Sequence, residues 1–188
     1  LLLAILLVIG LGVRLANTIS RPLSRLVTAA TRVSHGDLKV QIPVTTSDEI
    51  AILSQSFNQM VQSVYLSQNN LVEAYNSTLL GWSKALELRD EETEGHTLRV
   101  TRMAVELAAR MGVHGEALEN IRRGAILHDI GKMAISDTIL RKPGKLTDEE
   151  RLTIEMHPQY AFEMLKDINF LRPALSIPYY HHERWDGS

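Results

Sequence analysis

The stretch GAILHDIGK at residues 124–132 decides how the second half of this chain is interpreted. Its first residues continue an apolar pattern that begins near Glu116, which predicts a packed helix. His128 and Asp129 follow directly; neighbouring side chains on a helix point about 100° apart, but at the helix end both can reach one pair of metal ions. Asp suits bridging two cations and His binding one. We expect Gly131 to end the helix, and Lys132 to bring positive charge suited to a phosphate-bearing substrate.

An adjacent His–Asp pair is equally typical of a helix C-terminus with polar side chains near the helix dipole. The other histidines strengthen the metal interpretation. The chain has seven histidines. Five of them lie near acidic residues within its second half: His96, His128, His157, His181 and His182. Glu92 precedes His96 by four positions, which would place both on one helix face, although Glu92 could equally be a solvated charge in an acidic turn.

The composition limits the kinds of function. The 188 residues carry a formal net charge of −2, and only 5% of them are aromatic. Neither value suits a surface that binds a nucleic-acid polymer. The chain has no cysteine, which excludes thiolate metal sites and leaves His, Asp and Glu as the strong ligands.

The chain begins with the apolar run LLLAILLVIGLGV at residues 1–13, which Arg14 ends. A membrane-spanning helix needs about 20 apolar residues, so we expect the printed sequence to begin inside a transmembrane helix. Four arginines follow before the first acid, Asp37, and they mark the cytoplasmic side: Arg14, Arg21, Arg25 and Arg32. The alternative is a buried helix of a soluble domain.

Two short amphipathic helices are predicted next, joined by an extended connector. The first has a heptad seam that includes Leu23 and Leu26, and Gly36 breaks it. Alternating apolar residues from Leu38 to Val44 form the connector, and Thr46 with Glu49 resembles a capping box that starts the second helix. The seam of this helix contains Ile50, Leu53, Phe57 and Met60. Two such helices cannot bury both seams alone, whereas a parallel dimer can form a four-helix bundle.

A further apolar seam runs from Val61 to Leu86 and predicts a coiled-coil helix. Between Leu53 and Tyr65 the seam advances in three successive steps of four, a stutter that locally unwinds a supercoil. This joint is either a two-state switch or a harmless irregularity.

The sequence from about Arg14 to Val64 resembles a HAMP domain. The resemblance rests on Pro22, GDL at 36–38, DEI at 48–50 and FNQM at 57–60, which occur in this order. It implies a dimeric relay that carries a signal from a sensor to a cytoplasmic output domain. An ordinary coiled-coil spacer is the alternative, but the extended connector argues against it.

The stretch from about Leu86 to Ser188 resembles the HD superfamily of metal-dependent phosphohydrolases, and more narrowly its HD-GYP branch. The motifs are RDEETEGHTLRV at 89–100, LHDIGK at 127–132, ILRKPGKLTDEER at 139–151, His157-Pro158 and HHERWDGS at 181–188. In that family the last motif continues into Gly-Tyr-Pro, so we expect Ser188 to be a truncation and one further aspartate ligand to lie beyond it.

The HD-GYP resemblance implies cyclic di-GMP phosphodiesterase activity by a metal-activated hydroxide, with two or three divalent ions, iron or manganese above all. Asp129 would bridge the ions, and Lys132 would contact the substrate phosphate. The positions that match the family's metal ligands are His96, His128, Asp129, His157, His181 and His182, with Glu92 for a third metal. The resemblance further implies a homodimer in the bacterial inner membrane, with the HAMP and HD-GYP parts in the cytoplasm.

Together these observations predict an all-α protein in four parts. They are the end of a transmembrane helix at residues 1–13, a HAMP parallel coiled-coil bundle at 14–64, a coiled-coil linker at 65–86 and an incomplete HD-GYP domain at 87–188. Three alternatives stay open for the function: a non-catalytic signalling adaptor, a phosphohydrolase of another nucleotide, and a relay in which the HD-like part only transmits.

Overall fold

The computed structural model describes residues 1–90, 95–184 and 186–187. All regular elements among these residues are helices, which confirms the predicted all-α class. The prediction for Glu92 lies outside the described residues. The chain divides into two compact units, Leu1–Glu73 and Ala74–Ser188, and each is described by itself.

The first unit begins with one long helical run. Helix α1 spans Leu2–Leu15, a π-helical turn spans Ala16–Ser20, and α2 spans Arg21–Ser34. Pro22 has no N–H to donate to the preceding turn, so a change of helical register is expected just before it. Among the described residues, Leu2–Ser34 is one helix that is long and apolar enough to cross a membrane, and none of its most apolar window is buried.

An extended connector packs against α2 and the start of helix α3. Gly36 follows α2 with a φ of 89°, a backbone conformation that glycine adopts readily. Val40 and Ile42 are then buried with Ala29 and Val61 in a small core, as the alternating pattern predicted. The side chain of Asn58 donates to the carbonyl of Ile42 and accepts from its N–H, both at 2.9 Å. These two bonds fix the position of the connector along the helix.

Helix α3 spans Glu49–Asp90, and its N-terminal cap differs from the prediction. The carboxylate of Asp48 accepts the N–H groups of Ile50 and Ala51, at 3.1 and 3.4 Å. The expected capping box of Thr46 and Glu49 was therefore wrong, because Asp48 lies closer to the free N–H groups and is a strong cap itself. Thr46 instead hydrogen-bonds to Asp48, which helps to lower the pKa of that carboxyl.

The second unit contains the end of α3 and six further helices among its described residues. They are α4 His96–Arg110, α5 Glu116–Ile126, α6 Asp137–Leu140, α7 Asp148–Glu155, α8 His157–Leu165 and α9 Ser176–Tyr180. Short 3₁₀ helices lie at Ile130–Ala134 and Asn169–Ala174. The predicted capping box of Thr147 and Glu150 is present and starts α7.

The core of the second unit forms around the segment that contains GAILHDIGK. Leu127 and Ile130 are buried with Ala161 and Leu165 of α8, and Leu79 of α3 joins the same cluster. Arg123 of α5 is buried, and its guanidinium lies 4.2 Å from the centre of the Phe170 ring. Packing on both sides therefore holds α5 and the residues that follow it in place.

Candidate metal centre

His128 and Asp129 lie where α5 gives way to a 3₁₀ helix. The last α-helical residue is Ile126, and the next helical turn begins at Ile130. The two side chains therefore leave the chain just beyond the helix end, as predicted. Both are largely shielded from solvent, with 11% and 13% of their side-chain surfaces exposed.

Gly131 lies within the 3₁₀ helix, so the expectation that it ends α5 was wrong. A Cβ atom at this position would lie 1.9 Å from the carbonyl oxygen of His157. The glycine is needed because the backbone of α8 crosses directly against it. This close approach places the first residue of α8, His157, beside Asp129.

Three of the predicted histidines share one hydrogen-bonding arrangement. The Nδ1 atoms of His128, His157 and His181 lie 2.8, 2.7 and 3.0 Å from a backbone carbonyl oxygen three residues earlier in the chain. A carbonyl can only accept, so each Nδ1 carries a proton. In the neutral ring Nε2 is then unprotonated, which is the form that binds a metal.

The Nε2 atoms of these histidines converge on one carboxylate. They lie 3.1, 3.3 and 3.6 Å from the nearest oxygen of Asp129, in the order His128, His157 and His181. The Nε2 atoms of His157 and His181 are 3.0 Å apart. Two ligands about 2.0–2.1 Å from one metal lie roughly 3 Å apart, so this spacing suits neighbouring ligands of a single ion.

The ligand atoms form two groups, in each of which they lie within 4.8 Å of one another. One group is His96, His128 and Asp129, and the other is His157, His181 and His182. The fold thus brings together all six of the predicted metal ligands that it describes. The donor set contains imidazole nitrogens and a carboxylate, which suits iron, manganese or zinc. The residues present therefore fit a site for divalent ions.

Burial and charge act in opposite directions on the ionisable groups. Burial raises the pKa of Asp129, but the close approach of the His128, His157 and His181 rings outweighs this effect and holds that pKa far below its ordinary range. Burial lowers the pKa of His128, whereas the Asp129 carboxylate raises it, and the net shift is upward. The pKa of His182 is lowered by burial and by the neighbouring His181 and His157. Asp129 therefore stays ionised at neutral pH, ready to bind cations.

Lys132 lies beside the same carboxylate. Its Nζ atom is 3.0 Å from Oδ2 of Asp129 and 2.8 Å from Oδ2 of Asp90. The sequence analysis did not single out Asp90, which is 42 positions away from Lys132 and was part of an acidic stretch. The contact between Asp90 and Lys132 depends on how the end of α3 packs against the 3₁₀ helix.

Arg89 is a second residue that the sequence analysis missed. Its guanidinium donates to the carbonyls of Met133 and Ile135, at 2.8 and 2.6 Å, and to the carboxylate of Asp137 at 2.7 Å. These bonds anchor the segment after Lys132 to the end of α3. In the sequence, Arg89 and Asp90 look like ordinary exposed charges, and no pattern predicts these contacts.

Comparison with known proteins agrees with this geometry. The family model described as HAMP domain matches residues 14–65, and the model described as HD domain matches residues 93–188. A cyclic di-GMP phosphodiesterase of Vibrio cholerae is 33% identical over 171 residues, which cover 83% of this chain and 35% of the relative.

Two further relatives match over shorter stretches. A cyclic di-GMP phosphodiesterase of Thermotoga maritima is 43% identical over 104 residues, 54% of this chain and 28% of the relative. A 3′3′-cGAMP-specific phosphodiesterase of Vibrio cholerae is 36% identical over 121 residues, 63% of this chain and 23% of the relative. The chain thus spans about a third or less of the length of these relatives.

Proposed function

The chain belongs to the HD domain family, and from that premise we propose that it is part of a signalling phosphodiesterase that hydrolyses cyclic di-GMP. The observation that carries the proposal is the convergence of three Nε2 atoms on Asp129, with Lys132 beside them. Relatives that carry the name cyclic di-GMP phosphodiesterase support the choice of substrate.

The described residues would hold two divalent ions, one at His96, His128 and Asp129 and one at His157, His181 and His182. Asp129 contacts histidines of both groups, which suits a bridging carboxylate. Bound ions of this kind polarise a phosphoryl oxygen and make a coordinated water far more acidic, so that hydroxide is available at neutral pH. A third ion at Glu92 and the choice of iron or manganese stay predictions.

Two side chains of this protein would help to bind the substrate phosphate, one by its positive charge and one by holding that charge in position. The ammonium group of Lys132 would face a phosphate oxygen of the substrate and offset the negative charge that develops there. Asp90 holds this ammonium in place at 2.8 Å. Only 14% of the Lys132 side chain is exposed, and the shielding strengthens the attraction between its ammonium group and a phosphate.

The first unit would connect this site to a membrane signal. The helix Leu2–Ser34 is apolar at its start and arginine-rich after Arg14, which suits an anchor in the bacterial inner membrane with the rest of the chain in the cytoplasm. The HAMP domain supports a dimeric relay. Recovery of the protein in the membrane fraction after an alkaline wash would test the anchor.

The proposed activity is tested with the full-length protein purified without oxygen and loaded with iron or manganese. We expect release of the linear dinucleotide or GMP from cyclic di-GMP, and loss of at least about a hundredfold in rate for Asp129→Ala. The matched control is His114→Ala, which changes an exposed histidine outside the site. Equal rates for wild type and Asp129→Ala, or bound metal without turnover of cyclic di-GMP, would contradict the proposal.

A second substrate is favoured by one observation. A relative of comparable identity is named for 3′3′-cGAMP, a related cyclic dinucleotide. Both substrates are assayed side by side, and a higher kcat/KM for 3′3′-cGAMP would transfer the proposal to that substrate.

A further inference from the structure

Glu87 is a buried acid in the last turns of α3. Its side chain is 7% exposed, and its carboxylate lies 3.6 Å from the ammonium group of Lys84. One carboxylate oxygen accepts the backbone N–H of Thr97 at 3.0 Å. The bond joins the end of α3 to the start of α4.

The first N–H groups of a helix have no partner within the helix. The N-cap residue of α4 is Gly95, which has no side chain to accept them and has a φ of 73°. Thr97 is the second residue of α4, so the Glu87 carboxylate takes the place of a cap, and its negative charge suits the positive end of the helix dipole. Burial raises the pKa of Glu87, but hydrogen bonds from Thr97 and Gly95 outweigh it and lower the pKa overall.

The capped turn carries a candidate metal ligand. His96 is the first residue of α4, and its ring centre lies 5.9 Å from that of His128. Its ligand atom lies within 4.8 Å of the ligand atoms of His128 and Asp129. A change in the direction of this turn would move His96 relative to two groups that are fixed by α5 and the 3₁₀ helix.

We propose that Glu87 is a positioning residue for the metal centre, which holds the first turn of α4 so that His96 completes the group with His128 and Asp129. The inference rests on the metal site of the proposed function. It adds that α3, the helix whose first part lies in the HAMP segment, supplies a group that controls the metal affinity of this site.

The test is Mn²⁺ titration of the full-length protein, followed by electron paramagnetic resonance, for Glu87→Ala, Glu87→Gln, His96→Ala and the double variant Glu87→Gln/His96→Ala. We expect Glu87→Ala to weaken one of the Mn²⁺ sites, the one that contains His96, by about ten- to a hundredfold, as loss of a supporting partner does elsewhere. Glu87→Gln keeps one acceptor oxygen and should lose less. In the His96→Ala background, Glu87→Gln should cause no further loss, because it acts through His96.

The matched control is Thr101→Ala, which removes buried atoms from the same helix without touching its first turn. It should leave Mn²⁺ affinity unchanged, whatever the direction in which it shifts the thermal unfolding midpoint. Unchanged affinity in both Glu87 variants, equal losses with and without His96, or no Mn²⁺ binding by the wild-type protein would overturn the proposal. Failure of the proposed function is distinguishable, since it would show as absent hydrolysis with this pattern of Mn²⁺ affinities intact.

Discussion

At the scale of single residues, the site depends on which histidine nitrogen carries the proton. The carbonyls of Ala125, Ile154 and Pro178 each accept from Nδ1 of the histidine three positions later. The sequence could indicate which residue types bind a metal, and the resemblance named the six candidate ligands that lie among the described residues. It could not indicate these carbonyl partners, because each depends on a local helical turn or helix end that no side-chain pattern specifies.

Gly131 is the position where a single atom should matter most. We expect Gly131→Ala to destabilise the fold by about 3 kcal/mol, because the added Cβ would lie 1.9 Å from a backbone oxygen of His157 that cannot rotate away. The same displacement should move His157 and weaken Mn²⁺ binding. Thermal unfolding of the metal-free protein and Mn²⁺ titration measure the two effects.

The control for this substitution is Gly81→Ala. No atom lies within 4 Å of a Cβ at Gly81, and this glycine is inside α3, so alanine should stabilise the helix by about 1 kcal/mol. If Gly131→Ala unfolds at or above the wild-type temperature, the close approach of α8 to Gly131 is incorrect.

At the scale of helices, the sequence predicted which segments are helical better than it predicted the residues that cap them. The box of Thr147 and Glu150 formed as predicted, whereas α3 is capped by Asp48 and α4 by a residue from another helix. A capping box such as that of Thr147 and Glu150 can be predicted from the spacing of two residues close in sequence. The cap from Glu87 depends on tertiary packing, which is the reason why neither this residue nor Arg89 was found from the pattern.

The cap of α4 predicts a dependence of stability on pH. The pKa of Glu87 is lower in the folded protein than its ordinary value of 4.5, so its carboxylate stabilises the fold above that pH. This contribution is lost as the pH falls through the folded pKa. We expect Glu87→Gln to lower the unfolding midpoint of the metal-free protein by about 4 °C at pH 7, and by progressively less below about pH 4.5.

Thermal unfolding in a chelating buffer, followed by helical circular dichroism, measures this difference. Glu106→Gln is the control, because Glu106 pairs with Arg110 on the exposed side of the same helix and should change the midpoint little at any pH. A Glu87→Gln difference that stays constant from pH 7 to pH 3.5 would show that the charge of Glu87 does not support α4.

At the scale of the whole molecule, the predicted domain boundaries stay predictions, and so does the stutter between Leu53 and Tyr65. The two units divide at Glu73, and Leu79 and Leu86 from the predicted linker are buried. Sequence periodicity could not indicate this, since an apolar seam looks the same whether it packs on a second chain or on the chain's own next domain.

The predicted dimer is tested by the seam that one chain leaves exposed. Leu23, Leu53 and Met60 are between 45% and 51% exposed, although their heptad positions are those that a parallel bundle buries. Because the chain has no cysteine, single cysteines can report on neighbouring copies. We expect Leu53→Cys to form a disulfide-linked dimer rapidly under mild oxidation in membranes.

Gln55→Cys is the matched control for this experiment, since Gln55 is exposed two positions along the same helix and outside the seam. It should cross-link at least about tenfold more slowly, because a disulfide requires Cα atoms roughly 4.4–6.8 Å apart. Equal rates at the two positions would mean that random collision, not a paired seam, brings the chains together. In that case the exposed leucines of the first unit would have another partner, and the relay would not be a parallel dimer of this chain.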